Sequence, residues 1–145
     1  MPSEFVKEVA DVFAKDGPLS KVTANYTPRP SQIEFATSVA EALEKGKTLV
    51  AEAGTGTGKT FAYLVPALLK DQKVLISTAG KTLQDQLFTK DIPALLKALG
   101  MGCRVALLKG RSNYICKQRL EHALQEDSYV AKSREEVVHL HRIKK

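Results

Sequence analysis

The sequence has no tryptophan, only two cysteines and no long apolar run. No stretch approaches the roughly 18 apolar residues of a membrane span, and the first eight residues lack the basic-then-apolar order of a signal peptide. Cys103 and Cys116 are too few and too far apart for a zinc site of the usual spacing. These absences predict a soluble intracellular protein without a membrane anchor, a disulfide or a structural zinc ion.

The remaining composition is that of an ordinary globular chain with a moderate excess of positive charge. Of the 145 residues, 43% are hydrophobic and 26% are charged, which suits one domain or part of one. The 22 lysines and arginines outnumber the 16 acidic residues, so the formal net charge is +6. This excess favours a polyanionic partner.

The most informative segment is Ala53-Gly54-Thr55-Gly56-Thr57-Gly58-Lys59-Thr60, which we call the phosphate loop. Glycine tolerates positive φ and lets successive backbone N–H groups turn around one phosphate. Lys59 is placed to reach the β and γ phosphates of a nucleotide, and the Thr60 hydroxyl to ligate Mg²⁺. Ala53 stands where the strict pattern has glycine. All eight residues are predicted to bind the phosphates, with Lys59 and Thr60 as catalytic residues; the alternative is a glycine-rich turn without a ligand.

Apolar runs alternate with helical patterns along the chain. Strands are predicted at 47–52, 73–77 and 104–108, and helices after Ser3 and at 31–45, 61–70, 81–88 and 91–99. This alternation predicts an α/β fold, a P-loop (RecA-like) parallel sheet with flanking helices, in which the phosphate loop lies at the carboxyl end of a strand. Ser133 and Glu136 form a capping box that predicts a final helix.

Two residues about twenty positions before the phosphate loop suit a nucleotide base. The Gln32 amide can both accept from and donate to adenine, and the Tyr26 ring can stack on the base. Together they would select ATP. Two other interpretations stay open, because Gln32 could cap its helix and Tyr26 could pack on the fold.

Two segments that follow predicted strands suit a nucleic acid. Thr78 begins a stretch of hydroxyl and N–H groups that could meet a DNA backbone. The basic loop, residues 109–119, contains Arg111 and Tyr114 and no acidic residue, which is the combination of charge and stacking that single-strand binding uses. The alternative for the basic loop is a solvated surface.

In this order and spacing, these segments resemble motifs Q, I and Ia of a superfamily 2 DNA helicase, followed by the first cluster cysteine of the XPD/DinG-like iron–sulfur group. The resemblance implies an ATP-dependent DNA helicase of the bacterial cytoplasm that moves 5′ to 3′ on single-stranded or forked DNA, with repair or replication proteins as partners. It assigns Arg29 and Gln32 to the adenine pocket and Cys116 to a [4Fe-4S] cluster. Gly80 departs from the hydroxyl-bearing residue expected in motif Ia.

Several parts of such an enzyme are absent from the sequence. No Asp-Glu-x-His box follows residue 60, and a [4Fe-4S] cluster needs four thiolates. The chain is therefore predicted to be an amino-terminal fragment, with an incomplete first motor domain at 1–108 and the start of a cluster insertion at 109–145. It should bind ATP weakly, hydrolyse none and carry no cluster. The alternatives are a kinase-like P-loop enzyme and a non-catalytic module that binds DNA or a replication protein.

Overall fold

The computed structural model describes residues 1–125, 135, 138–139 and 142–143, and the chain divides into two compact units, Met1–Leu107 and Leu108–Lys145. The helices of the first unit are α1 (Glu4–Val12), α2 (Pro30–Lys45), α3 (Lys59–Leu69), α4 (Lys81–Gln86) and α5 (Ile92–Leu99). The second unit contains α6 (Lys117–Gln125), and single 3₁₀ turns occur at Pro18–Lys21 and Arg111–Asn113. The predicted capping box of Ser133 and Glu136 lies outside the described residues.

Two predicted helix ends are confirmed by the hydrogen bonds that form them. Ser3 Oγ accepts from the backbone N–H of Val6 at 3.2 Å, so the hydroxyl satisfies one of the free donors at the start of α1. Gly46 ends α2 in the left-handed conformation, with φ 58°, and its N–H donates to the Ala42 carbonyl. Local capping chemistry therefore sets the limits of both helices.

The predicted parallel sheet is wrong, because no residue in the described part of the chain belongs to a strand. The runs at 47–52, 73–77 and 104–108 have no regular secondary structure. They are also largely exposed: Val50 is 94% and Leu75 95% accessible, whereas strands of a parallel sheet are buried on both faces. An apolar run predicts a strand from local pattern alone, but a sheet also needs backbone partners from distant segments.

The core of the first unit is built by helices that pack on one another. α2 packs against α1 and α3, and α3 also contacts α5. Fully enclosed side chains in this core include Val9, Phe13, Leu19, Leu64 and Leu95. The packing of α2 on α3 brings the first turn of α2 to the loop that precedes α3. None of the helices in the described ranges is long and apolar enough to cross a membrane.

A π-helical segment, Leu87–Asp91, joins α4 to α5, where two separate helices were predicted. Pro93 has no N–H to donate to the carbonyl four residues earlier, so the regular α-helical ladder cannot continue through this point. The wider turn accommodates the missing donor and keeps the chain helical from Lys81 to Leu99. Pro93 lies in the first turn of α5, as predicted, but α5 continues directly from the π-helical segment.

Candidate nucleotide site

The phosphate loop lies directly before α3 and has the backbone conformation that its glycines permit. Gly56 and Gly58 have φ values of 76° and 80°, in the left-handed region, and Gly58 is the N-cap of α3. No heavy atom lies within 4 Å of a β-carbon built on Gly54 or Gly56. The loop therefore borders open space at the N-terminus of a helix, where N–H groups and the helix dipole both favour an anion.

The side chain of Lys59 crosses the loop from the first residue of α3. Its Nζ donates to the carbonyl of Ala53 at 2.6 Å and to that of Gly54 at 2.5 Å. Thr57 closes the same turn, because its hydroxyl donates to the Gly54 carbonyl at 2.9 Å. The only ammonium group within the eight-residue loop is therefore held over the loop itself, where the phosphates were predicted to bind.

Arg29 and Gln32 contact the loop from α2. Arg29 Nη1 donates to the Gly56 carbonyl, and Gln32 Nε2 donates to the Gly58 carbonyl at 2.9 Å. Among the described residues, Gln32 is the only buried polar side chain, with 7% of its surface accessible. The structure thus brings both residues to the phosphate loop, a contact that was not predicted from the sequence. Their predicted contact with adenine stays a prediction.

Two tyrosines complete the surroundings of the site. The Tyr26 hydroxyl donates to the Phe13 carbonyl at 2.9 Å, which ties the segment before α2 to the end of α1. Burial raises the pKa of Tyr26, and the nearby charge of Arg29 partly offsets this. Burial also raises the pKa of Tyr63. A side-chain hydrogen bond with Thr60 lowers this pKa, and the charge of Asp91 raises it. Tyr63 was not predicted, although it lies one helical turn after Thr60 and so on the same face.

The residues predicted to contact DNA lie in both units. In the first unit, the Thr78 hydroxyl donates to the Gly80 carbonyl at 3.1 Å and forms a local turn before α4. In the second unit, Arg111 begins a 3₁₀ turn, and the Tyr114 hydroxyl accepts from the backbone N–H of Lys109 at 2.8 Å. Tyr114 is 52% accessible, so its ring is available for stacking.

The cysteines do not form a metal site within the described ranges. Cys103 and Cys116 are both exposed free thiols. In those ranges, no group of three or more His, Cys, Asp or Glu residues could hold a metal ion. A [4Fe-4S] cluster needs four thiolates, so these residues do not fit one. The phosphate loop, in contrast, fits a nucleotide triphosphate with Mg²⁺, because it combines open backbone, an ammonium group and a threonine hydroxyl.

Comparison with known proteins agrees with the sequence pattern. The chain is 56% identical over 113 residues to the ATP-dependent DNA helicase YoaA of Escherichia coli, covering 78% of this chain and 18% of that protein. It is 47% identical over 123 residues to YoaA of Haemophilus influenzae, covering 85% of this chain and 19% of that protein. The chain is 45% identical over 106 residues to the ATP-dependent helicase DinG of Mycobacterium tuberculosis, covering 68% of this chain and 16% of that protein.

These matches confirm the resemblance to DinG-like helicases and show that the chain spans less than a fifth of the length of these relatives. The family model for the DEAD/DEAH box helicase matches residues 33–140, which includes the whole phosphate loop and all of α3. The match extends over most of the chain. The protein therefore belongs to the DEAD/DEAH box helicase family.

Proposed function

We propose that this chain forms the nucleotide-binding part of an ATP-dependent DNA helicase. The observation that carries the proposal is the loop of residues 53–60, with two left-handed glycines and the Lys59 ammonium at the start of α3. The two YoaA relatives and the DinG relative of Mycobacterium tuberculosis are named ATP-dependent helicases, which supports the same activity here. The kinase-like alternative has no such support, because the chain belongs to a helicase family.

The residues of the loop have separate tasks in this proposal. The backbone N–H groups around Gly56 and Gly58 donate hydrogen bonds to the phosphate oxygens, and Lys59 offsets the charge of the β and γ phosphates. Thr60 holds Mg²⁺, which neutralises charge on the phosphate oxygens when bound. Tyr26, Arg29 and Gln32 are the residues predicted to contact adenine.

The finer features of the proposal come from the resemblance. They are movement 5′ to 3′ on single-stranded or forked DNA in the bacterial cytoplasm, and repair or replication proteins as partners. A [4Fe-4S] cluster with Cys116 as a ligand belongs to the same set, although the described residues offer it only exposed Cys103 and Cys116. Thr78, Arg111 and Tyr114 are the proposed DNA contacts.

Calorimetry with the 145-residue chain and Mg²⁺ tests the nucleotide-binding function. We expect weak, saturable binding of ATP and much weaker binding of AMP, because AMP lacks the phosphates that Lys59 is placed to reach. We expect no ATP turnover, since the sequence contains no acidic box to activate water. Equal binding of ATP and AMP, or no binding of ATP, would contradict the proposed site, and robust turnover would contradict the expected inactivity.

Stacking by Tyr114 is tested with a short single-stranded oligonucleotide. We expect Tyr114→Leu to weaken binding about tenfold, because stacking of one base on an aromatic ring contributes roughly 1–3 kcal/mol. Tyr114→Phe retains the ring and loses only the bond from the Lys109 N–H, so it should bind nearly as the wild type does. Fluorescence anisotropy at several salt concentrations measures both. If the leucine and phenylalanine variants bind equally, Tyr114 does not stack on a base.

A further inference from the structure

The first turn of α2 holds the phosphate loop by its carbonyl oxygens. Arg29 donates to the carbonyl of Gly56 and Gln32 to the carbonyl of Gly58, across 27 and 26 residues of sequence. The Gly58 carbonyl also accepts the first helical bond of α3, from the Ala62 N–H at 3.2 Å, so both of its lone pairs are used. We call this pair of contacts, Arg29 to Gly56 and Gln32 to Gly58, the carbonyl clasp.

The geometry of the peptide unit gives the clasp a consequence for anion binding. In a planar trans peptide, the C=O and the next residue's N–H point in opposite directions. All peptide bonds in the described ranges are trans. The Gly56 carbonyl shares its peptide unit with the Thr57 N–H, and the Gly58 carbonyl with the Lys59 N–H. Holding both carbonyls toward α2 therefore turns both N–H groups away from α2.

We infer that Arg29 and Gln32 are positioning residues of the phosphate loop, which orient the Thr57 and Lys59 N–H groups for the phosphates of the nucleotide. This inference rests on the proposed function and goes beyond it, because it gives the two residues a task that does not involve adenine. The clasp acts on the part of the ligand that all nucleotides share. Its loss should therefore weaken phosphate binding whether or not a base is attached.

Burial makes the two contacts unequal. Gln32 is buried, and removal of its donor leaves the Gly58 carbonyl with the Ala62 N–H alone. Arg29 is exposed, so the loss of its bond to Gly56 leaves the core of the first unit unchanged. A variant at Gln32 therefore probes a buried contact, whereas a variant at Arg29 probes an exposed contact and leaves the core of the first unit intact.

The test uses Gln32→Met and Arg29→Met in the 145-residue chain. Methionine is neutral, is close to glutamine in size and keeps much of the length of arginine, but it has no N–H donor. The controls are Gln72→Met and Arg104→Met, which make the same changes at exposed positions of the first unit. Calorimetry with Mg²⁺ measures binding of ATP, and separately of inorganic tripolyphosphate, which has no base.

We expect each clasp variant to weaken tripolyphosphate binding by about tenfold and ATP binding by at least as much, with both controls unchanged. In the unliganded chain, ¹⁵N relaxation should show greater mobility at the amides of Thr57 and Lys59 in the variants, with the rest of the first unit unaffected. A loss of affinity for ATP with no loss for tripolyphosphate would overturn the inference, since that result assigns the residues to adenine.

The relaxation measurement separates failure of this inference from failure of the proposed function. If the wild-type chain binds neither ATP nor tripolyphosphate, the proposed nucleotide site is wrong. The mobility of the two amides then still decides whether the clasp holds the loop: unchanged mobility in both variants overturns it, and increased mobility confined to residues 56–60 supports it.

Discussion

Replacement of Lys59 by methionine should weaken Mg-ATP binding by about 100-fold, or ~2.7 kcal/mol. Methionine keeps most of the length of the side chain and removes its charge. The Lys59 ammonium is half-buried and already lies on the loop, 2.6 Å from the Ala53 carbonyl. Removing one partner of a close charge pair that is sheltered from water costs roughly 2–5 kcal/mol, and the partial exposure of Lys59 favours the lower part of this range.

The control for Lys59→Met is Lys73→Met, which removes the same charge at an exposed position after α3. Calorimetry with ATP and Mg²⁺ gives both affinities, and circular dichroism shows whether either variant changes the helical content. We expect Lys73→Met to bind as the wild type does, because long-range charge effects at an exposed site are screened by salt. Equal affinities for the two variants would contradict the role of Lys59, and would remove the main charge from the proposed site.

The helices of the first unit could be predicted because short-range chemistry sets their limits. The Ser3 hydroxyl accepts a hydrogen bond from the Val6 N–H, three residues away, and Gly46 provides the left-handed residue at the end of α2. Both signals involve neighbours in sequence. The conformation of the phosphate loop was also predictable from local sequence, because Gly56 and Gly58 adopt the positive φ that their residue type permits.

The sheet was predicted wrongly because its formation does not depend on neighbours in sequence. Leu75 lies in an apolar run typical of a strand, yet it is 95% accessible and no described segment forms a ladder with it. Hydrophobic pattern indicates which residues avoid water, but not which distant backbone supplies the hydrogen bonds. The π-helical segment between α4 and α5 was missed for a related reason, since Pro93 can either begin a helix or be accommodated within one.

The residues proposed for the nucleotide site could be named from the sequence, but the contacts between them could not. The resemblance to DinG-like helicases assigned Arg29 and Gln32 to an adenine pocket. The structure places them on the carbonyls of Gly56 and Gly58, a contact created by the packing of α2 on α3. Residue type shows that a glutamine can donate, whereas tertiary packing decides to which acceptor it donates.

That packing leads to the largest expected effect on stability, which is that of Gly58→Ala. A β-carbon at Gly58 would lie 2.2 Å from Gln32 Nε2 and 2.8 Å from its Cδ, and φ is 80°. The left-handed conformation costs alanine about 1–2 kcal/mol. The Gln32 amide must also move aside, which breaks its bond to the Gly58 carbonyl and costs about 1–3 kcal/mol because the amide is buried. We expect Gly58→Ala to lower the free energy of unfolding by ~2–5 kcal/mol, measured by urea denaturation.

Two glycines of the same loop separate these contributions. Gly56 has a similar φ of 76°, but a β-carbon built on it would meet no atom within 4 Å, so Gly56→Ala should cost only the conformational part, ~1–2 kcal/mol. Gly54 has no positive φ, and a β-carbon built on it would also meet no atom within 4 Å, so Gly54→Ala should change stability by less than about 0.5 kcal/mol. The expected order of destabilisation is therefore Gly58, then Gly56, then Gly54.

A double-mutant cycle identifies Gln32 as the source of the additional cost at Gly58. In a Gln32→Ala background the colliding amide is absent, so Gly58→Ala should cost no more than Gly56→Ala does in the wild type. The energetic coupling between positions 32 and 58 is then about 1–3 kcal/mol. Additive effects of the two substitutions would show that the Gln32 amide does not contact Gly58 in solution, and the predicted difference between Gly58 and Gly56 would have no physical cause.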